Sequence, residues 1–355
     1  MGLPRRQTAV VADEAGHLVV STDVTLPVLE PDSLLVETAA VAVNPSDAKL
    51  TGLQAAPGAV AGSDCAGTVV AVGDAVGSRF QVGDRVCAPT LPMDPLAPRA
   101  GAFANYVVLT ADFALKIPNG MSFERAASLG TGLATAGYAL FRSLRIPGHP
   151  DTPATSPAVV LVWGGSTATG TLAIQMIRRS GCIPIATCSR QNFALVESRG
   201  AEKVFDYHDV ECAASIKAYT HNALDYALDC ICDATSMQAC YSAIGRAGGS
   251  YTTLEPFPQH LHTRKRVRPE WILGVCLLGR KIGWKEPYNL DADPKLREFG
   301  REWFQCVQGM LNRDEIQPHA IRTEHKKQGF EGVLEGVALL RKKVIRGEKL
   351  VYSIL

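Results

Sequence analysis

The segment 159–170 constrains the fold of this chain more than any other. It reads Val-Val-Leu-Val-Trp-Gly-Gly-Ser-Thr-Ala-Thr-Gly, so an apolar, β-branched run gives way to glycines and hydroxyl residues, and the apolar residues of 172–177 follow. A strand, a tight turn and a helix in this order allow backbone N–H groups and a helix N-terminus to meet a pyrophosphate. Because the spacing departs from G-x-G-x-x-G, the segment alone is compatible with a nucleotide site or an ordinary strand-to-helix turn.

The residues after this segment continue the alternation of strands and helices. Helical patterns cover 193–199 and 237–244, and strand patterns cover 183–189, 203–207, 226–231 and 249–254. This order predicts the α/β fold class, with a mostly parallel, doubly wound Rossmann sheet that binds a dinucleotide.

The end of the second strand indicates which dinucleotide is bound. NAD-binding folds often carry an acidic residue there, whereas this chain has Ser189, Arg190, Gln191 and Asn192. A hydroxyl, a guanidinium and an amide suit a phosphate dianion, and Tyr207 at the end of the next strand could add a phenolic donor. Alternatively, Arg190 is a solvated loop charge and Tyr207 a half-buried core ring. Taken together, these residues predict NADPH.

Composition narrows the class of protein. The chain has 355 residues, enough for two domains, and 36 Lys and Arg against 35 Asp and Glu give a net charge of +1, which favours neither nucleic acid nor an anionic membrane. No apolar run approaches the ~20 residues of a membrane span, and residues 1–6 precede no apolar signal core. Ten scattered cysteines without C-x-x-C predict reduced thiols and a cytoplasmic protein.

The first 120 or so residues show a different pattern. Short strand patterns at 34–43, 67–72 and 106–109 alternate with glycine-containing turns, which predicts a compact β domain. A proline-rich loop at 147–157 precedes the nucleotide strand, and 330–346 and 349–354 are predicted to be an amphipathic helix and a strand.

Several motifs along the whole chain resemble the medium-chain dehydrogenase/reductase superfamily. They lie at 44–49, 67–73, 82–86, 126–136 (a predicted helix) and 347–351. Within that superfamily, 165–169, 183–189, 245–249 and 263–265 look like the fungal trans-acting enoyl reductases, which partner highly reducing iterative polyketide synthases.

The resemblance implies a two-domain architecture and an activity. A GroES-like, β-rich catalytic domain would cover residues 1–130 with 315–355 returning to it, and a Rossmann domain would cover 131–314. The activity would be NADPH-dependent reduction of α,β-unsaturated polyketide thioesters on the acyl carrier domain of a partner synthase, or of a synthase–peptide synthetase hybrid, by a monomer. The alternatives are a free-standing quinone or alkenal reductase and a non-catalytic NADPH-binding relative, crystallin-like or RNA-binding.

The same resemblance implies the site residues. Lys49 and Thr135 are the expected catalytic residues, although Lys49 could be an exposed helix lysine and the Thr135 hydroxyl could bond its own backbone. The expected cofactor-binding residues are Ser46, Asp47, Ala48, Lys49, Ser166, Thr167, Ala168, Thr169, Ser189, Arg190, Gln191, Asn192, Tyr207, Leu254, Glu255, Val351 and Tyr352. The expected substrate wall comprises Thr135, Ala136, Gly137, Tyr138, Ala139, Leu140, Phe141, Arg142, Val275, Cys276, Leu277, Leu278 and Gly279; alternatively, Leu277 and Leu278 belong to a sixth strand.

The sequence predicts no metal. Zinc alcohol dehydrogenases have a ligand cysteine in the element corresponding to 44–47 and Gly-His-Glu where this chain has 62–64, Gly-Ser-Asp. Without a Lewis acid, an activated carbon–carbon double bond is an easier target than a ketone. The acid that protonates Cα stays open, with solvent and Tyr138 as candidates.

The run 260–268 is densely basic. It predicts a solvated loop or a patch for an acidic carrier domain or a phosphopantetheine phosphate. No carrier serine motif or acyltransferase elbow is visible, so the substrate is expected on another protein.

Overall fold

The computed structural model describes residues 3–354. Met1 and Gly2, the first two residues of the segment 1–6 in which the sequence predicts no signal peptide, lie outside the described residues. The chain divides into two compact units. Unit 1 runs to Ala134 and resumes at Val275, and unit 2 is the contiguous stretch Thr135–Gly274.

Unit 1 is rich in strands. Its first segment contains β1 (Arg6–Ala12), β2 (Leu18–Thr25), β3 (Ser33–Ala42), α1 (Pro45–Lys49), β4 (Asp64–Val72), β5 (Arg85–Pro89), β6 (Tyr106–Thr110), β7 (Leu115–Lys116), α2 (Phe123–Ala127) and the start of α3 (Gly130–Gly137).

Unit 2 alternates strands and helices. A π-helical turn (Tyr138–Ser143) follows α3, and then come β8 (Val159–Trp163), α4 (Ala168–Arg179), β9 (Ile183–Cys188), α5 (Phe193–Ser198), β10 (Lys203–Asp206), α6 (Cys212–Tyr219), β11 (Tyr226–Asp229), α7 (Ala234–Ala243), β12 (Gly249–Thr253) and β13 (Val267–Trp271). The chain then re-enters unit 1 with α8 (Pro294–Asn312), β14 (Ile321–Arg322), α9 (Gly329–Arg341) and β15 (Lys349–Ser353).

The sheet of unit 2 is parallel throughout and has the order β10-β9-β8-β11-β12-β13. Counted from β8, this is the order 3-2-1-4-5-6 of doubly wound dinucleotide folds, with the switch point between β8 and β11. Apolar runs such as 160–162 form these strands because the side chains on both faces of the sheet are buried. The predicted α/β, doubly wound class is confirmed.

The main sheet of unit 1 is mostly antiparallel. Its order is β14-β15-β3-β4-β5-β7, and β6 pairs with β3. Strand β15 pairs with β3 in the register Val351 to Ala42, so the predicted C-terminal strand lies beside a strand formed near residue 40.

Two predicted elements differ from the structure. The helix predicted at 126–136 is two helices, because Ser128 closes α2 by donating to Arg125 O at 2.7 Å, and Thr131 N at the start of α3 donates to Asp64 Oδ1 at 2.6 Å. The sixth strand is β13, and Leu277 and Leu278 lie instead in a 3₁₀ turn at Gly274–Leu278.

The second domain boundary also differs. The resemblance implies that residues 275–314 belong to the Rossmann domain, but they group with unit 1. The physical reason is the packing of α8, whose Phe304 ring meets Phe113 edge-on at 5.3 Å and whose Arg297 binds Asp32 at 2.6 Å and Asp112 at 3.1 Å.

Across residues 3–354, the helices all lack the combination of length and apolarity that crossing a bilayer requires.

Candidate functional site

The turn between β8 and α4 has the geometry of a phosphate-binding turn. Gly164 has φ +82°, a left-handed conformation that favours glycine. A Cβ at Gly170 would lie 2.4 Å from Gly164 O, so only glycine allows this close approach. The Thr167 hydroxyl accepts from Gly170 N at 3.0 Å and donates to Gly164 O at 2.9 Å, which caps α4 and leaves its N-terminus beside the sheet's carboxyl edge.

Three predicted cofactor residues come together beside this turn. Asn192 Nδ2 lies 3.4 Å from Ser166 Oγ and 3.3 Å from Ser189 Oγ. Ser166 follows β8 and Ser189 follows β9, so the carboxyl ends of neighbouring parallel strands supply the cluster. The three side chains are half-buried and offer hydroxyl and amide donors to an anion.

Arg190 and Tyr207 lie at the neighbouring strand ends. Arg190 Nε binds Asp206 at 3.0 Å although the arginine side chain is 81% exposed, and Asp206 also meets His208 Nδ1 at 3.0 Å. The contact uses Nε, and the two terminal nitrogens carry four further N–H donors. Gln191 is exposed, and the Tyr207 ring is exposed and packs on His208 at 4.1 Å.

Thr135 sits against a loop of its own unit. A Cβ at Gly274 would lie 2.3 Å from Thr135 Oγ1, so this loop supports the threonine only because residue 274 lacks a side chain. Thr135 itself is 7% exposed. Beyond it, Ala136, Gly137, Ala139 and Leu140 are buried, whereas Tyr138 and Phe141 are half-exposed and Arg142 is exposed. The π-helical turn at Tyr138–Ser143 is a geometry that often occurs at functional sites.

The second segment of the expected substrate wall is largely core. Leu277 is 1% and Leu278 6% exposed, and a Cβ at Gly300 of α8 would lie 3.1 Å from Leu277 Cβ. Val275 is also buried, and Cys276 and Gly279 are half-buried. Leu277 therefore packs against α8, and Leu278 is buried beside it in the same 3₁₀ turn.

The positions where zinc alcohol dehydrogenases carry ligands hold a buried hydrogen-bond network in unit 1. Ser63 Oγ donates to Asp47 Oδ1 at 2.7 Å, Asn44 N donates to Asp47 Oδ2 at 2.7 Å, and Asn44 Nδ2 donates to Asp64 Oδ2 at 2.8 Å. Burial raises the pKa of Asp47 to about 7, although the hydrogen bonds from Ser63 and Asn44 act in the opposite direction.

A buried ion pair completes this network. Lys349 Nζ lies 2.6 Å from Asp64 Oδ2, and the two side chains are 3% and 0% exposed. Asp64 Oδ1 accepts from the backbone and hydroxyl of Thr131 at 2.6 and 2.9 Å, and Lys349 also reaches Ser128 O. The carboxylate thus has partners on both oxygens, as a buried charge requires.

The remaining predicted residues lie on several elements. Lys49 is exposed and Ala48 half-buried on α1, Ser46 is half-buried, and Leu254 and Glu255 are half-buried just after β12. Val351 and Tyr352 are buried in unit 1, where Val351 O lies 2.8 Å from His325 Nε2 and the Tyr352 ring stacks on His325 at 3.9 Å.

The basic run at 260–268 divides into structural and exposed residues. Arg264 donates to the carbonyls of Tyr241, Ile244 and Gly245, so it caps the C-terminus of α7. Lys265 and Arg266 are exposed.

Sequence reasoning missed several polar residues. The sequence predicts Asp206 and Lys349 only as members of two strands, although a charged residue at the end of a strand is a usable signal. Asp229 ends β11 at the switch point, where Ile231 N, Cys232 N, Ser236 Oγ and Tyr251 Oη donate to it and burial raises its pKa. The pairing of Asp64 with Lys349 has no local signal.

Two family models match the chain. The alcohol dehydrogenase GroES-like domain matches residues 30–119, and the zinc-binding dehydrogenase model matches residues 168–253.

Curated relatives match over nearly the full length. The trans-enoyl reductase FSL5 of Gibberella zeae is 51% identical over 99% of this chain and 98% of its own. The trans-enoyl reductase caaB of Aspergillus niger is 48% identical over 99% of this chain and 98% of its own. The trans-enoyl reductase fsa3 of a Fusarium species is 49% identical over 99% of each chain.

Solved structures agree on the fold. A putative zinc-dependent alcohol dehydrogenase from Rhizobium etli has a TM-score of 0.79 at 23% identity and covers 99% of both chains. The CurK enoyl reductase has a TM-score of 0.74 at 17% identity and covers 99% of this chain and 100% of its own. Identities this low show the two-domain fold alone.

A nicotinamide dinucleotide is the cofactor of this family, and the glycine turn, the capped helix α4 and the Ser166–Ser189–Asn192 cluster suit one. The extent of the match to the curated relatives identifies this chain as an oxidoreductase that belongs to the fungal trans-enoyl reductases of the medium-chain dehydrogenase/reductase superfamily.

Proposed function

We propose that this chain uses NADPH to reduce an α,β-unsaturated thioester that the acyl carrier domain of a partner polyketide synthase presents to it, and that it acts in the cytoplasm as a monomer. The observation that carries this proposal is the 51% identity to a curated trans-enoyl reductase over 99% of the chain. An enzyme acting in trans needs a substrate that another protein delivers, and the sequence carries no carrier or acyltransferase motif of its own.

The preference for NADPH is supported by the residues after β9. Ser189 and Asn192 offer neutral donors, and Arg190 offers a cation at the position where NAD-specific folds carry an acid. Asp206 holds the Arg190 side chain through Nε. A 2′-phosphate would then meet a guanidinium whose orientation is already restrained, which lowers the entropy cost of binding.

The chemistry of the bound nicotinamide is hydride donation to Cβ of the enoyl thioester. Lys49 would place a positive charge near the thioester oxygen, where negative charge develops, or would hold ribose hydroxyls. Thr135 would position the substrate through its hydroxyl, which the backbone at Gly274 supports from behind. The half-exposed rings of Tyr138 and Phe141 would contact the acyl chain.

The cofactor preference is tested by titrating NADPH and NADH against the protein and following tryptophan fluorescence. NADPH should bind roughly tenfold to a hundredfold more tightly than NADH, because one charge-assisted hydrogen bond contributes about that much to affinity. Arg190→Ala should remove most of that difference and leave NADH binding unchanged. Arg178→Ala is the matched control, because Arg178 is an exposed arginine paired with Glu202 at 3.4 Å. Equal affinities in the wild type would rule out the 2′-phosphate site.

The substrate is tested by reconstitution with the partner synthase, malonyl-CoA and NADPH. Addition of this protein should convert an over-unsaturated, prematurely released pyrone into a longer, partly saturated product. Lys49→Ala and Thr135→Ala should weaken the conversion, whereas Lys281→Ala, on the surface of unit 1, should not. Rapid reduction of simple quinones with an unchanged synthase product would support a free-standing reductase instead.

A further inference from the structure

Three side chains of unit 1 form a continuous chain of hydrogen bonds from the interior to the surface. Asp47 Oδ1 lies 2.7 Å from Ser63 Oγ, and Ser63 Oγ lies 3.3 Å from Ser46 Oγ. Asp47 is 3% and Ser63 2% exposed, whereas Ser46 is half-buried. The chain of hydrogen bonds therefore begins at a buried carboxyl group and ends at a half-buried serine.

The chemistry of these groups allows a proton to move along the chain in either direction. A serine hydroxyl donates one hydrogen bond and accepts others, so both serines can reverse their roles without moving a heavy atom. Asn44 N holds the second oxygen of Asp47 at 2.7 Å, which keeps Oδ1 directed at Ser63.

The raised pKa of Asp47 suits a proton donor that works near neutral pH. Burial, the largest effect, raises its pKa to about 7; of the charged neighbours that act on it, Asp64 on β4 raises the pKa and Lys349 on β15 lowers it. A general acid works best when its pKa lies near the working pH.

We propose that Asp47, Ser63 and Ser46 are a proton relay that delivers the Cα proton in enoyl reduction; this inference rests on the function proposed above. Ser46 Oγ–H protonates Cα as the enolate C=C electron pair forms the new C–H bond and the thioester carbonyl is restored. Ser63 reprotonates Ser46, and Asp47 reprotonates Ser63 and becomes a carboxylate. The relay regains its proton from solvent through Ser46 before the next turnover. Asp47 and Ser63 act through Ser46, so they are positioning residues, and Ser46 is the group that touches substrate.

The relay is tested by single-turnover reduction of a model enoyl thioester, the N-acetylcysteamine thioester of crotonate, with reduced cofactor in D₂O. The wild type should place deuterium at Cα in one configuration. Ser46→Ala and Asp47→Asn should lower the single-turnover rate constant by roughly a hundredfold and give both configurations, because solvent then protonates the enolate without a fixed direction. Ser46→Thr keeps a hydroxyl and should restore one configuration. Ser21→Ala, a half-exposed serine on β2, is the control.

Two further readouts separate the relay from a structural role. The wild-type kcat should fall as the pH rises through about 7, where Asp47 loses its proton, and Asp47→Asn should lose this dependence. The thermal unfolding temperature of Ser46→Ala should match that of the wild type, so this variant decides the question even if Asp47→Asn does not fold.

The outcomes are distinguishable. A wild type that reduces no enoyl thioester, free or carrier-bound, would contradict the proposed function itself. A wild type that is active while Ser46→Ala keeps its rate and a single deuterium configuration would overturn the relay alone and point to water, Lys49 or Tyr138 as the proton source.

Discussion

At the scale of single residues, the ion pair of Asp64 and Lys349 leads to the sharpest stability prediction. Lys349→Met should lower the free energy of unfolding by roughly 3–5 kcal/mol, because it leaves a buried carboxylate without its cation. The double variant Asp64→Asn/Lys349→Met should recover much of this loss. Urea unfolding measures both. Lys281→Met is the control, since its ion pair with Asp291 is exposed and 3.8 Å long, and it should change stability by less than about 0.5 kcal/mol. Similar losses in both lysine variants would contradict the assignment.

The buried carboxyl of Asp47 predicts a pH dependence of stability. Its pKa is raised from 3.8 to about 7, so the folded state holds a proton that the unfolded state releases. The resulting stabilisation is complete below the unfolded value and is lost as the pH rises through the folded value. At about 1.4 kcal/mol per pKa unit the loss is of order 4 kcal/mol. Urea unfolding of the wild type and of Asp47→Asn between these pH values should therefore converge at low pH and diverge as the pH rises. Parallel curves would show that Asp47 keeps its ordinary pKa.

At the scale of elements, the C-terminus of α7 depends on one arginine from a distant loop. Arg264→Ala should cost roughly 1.5–3 kcal/mol, because three carbonyls lose a charged donor. Lys265→Ala, the neighbouring exposed cation, should change the unfolding free energy by less than about 0.5 kcal/mol. Thermal and urea unfolding of the pair measure the difference. A loss from Lys265→Ala as large as that from Arg264→Ala would show that the whole run, rather than the cap, stabilises the unit.

Local sequence patterns predicted a strand or a turn correctly where the residues of a single segment determine it. The apolar run before Gly164 predicted β8, and the glycines and hydroxyls after it predicted the turn that Thr167 caps. The break between α2 and α3 could not be predicted in this way. A Cβ at Gly130 would lie 2.7 Å from Asp64 Oδ1, so the break depends on a carboxylate from another strand. The place of Ser189 and Asn192 at the end of β9 was predicted by strand order, but the Asp47–Ser63 contact was not, because it joins helix α1 to the loop before β4.

At the scale of the whole molecule, the chain should function without a metal. Ser46 and Ser63 stand in the elements where the zinc branch carries a cysteine and a histidine, and hydroxyls are poor substitutes for those ligands. Dialysis against a chelator is expected to leave thermal unfolding and enoyl reduction unchanged, and elemental analysis of the purified protein should find no stoichiometric zinc. One zinc per chain that is lost together with activity would overturn this expectation.

Lys349 and Asp64 stand 285 positions apart in the chain, and this separation determines the order in which the protein can mature on the ribosome. Residues 135–274 contain all strands of their own sheet, so that sheet can close while synthesis is still under way. The amino-terminal segment of unit 1 is made first, but it lacks the cation for Asp64 and strand β15, which pairs with residues 40–42 of β3, until residue 349 has emerged. The earliest part of the chain can thus complete its fold only together with the last, and we expect it to need protection from aggregation and proteolysis for the longest time during synthesis.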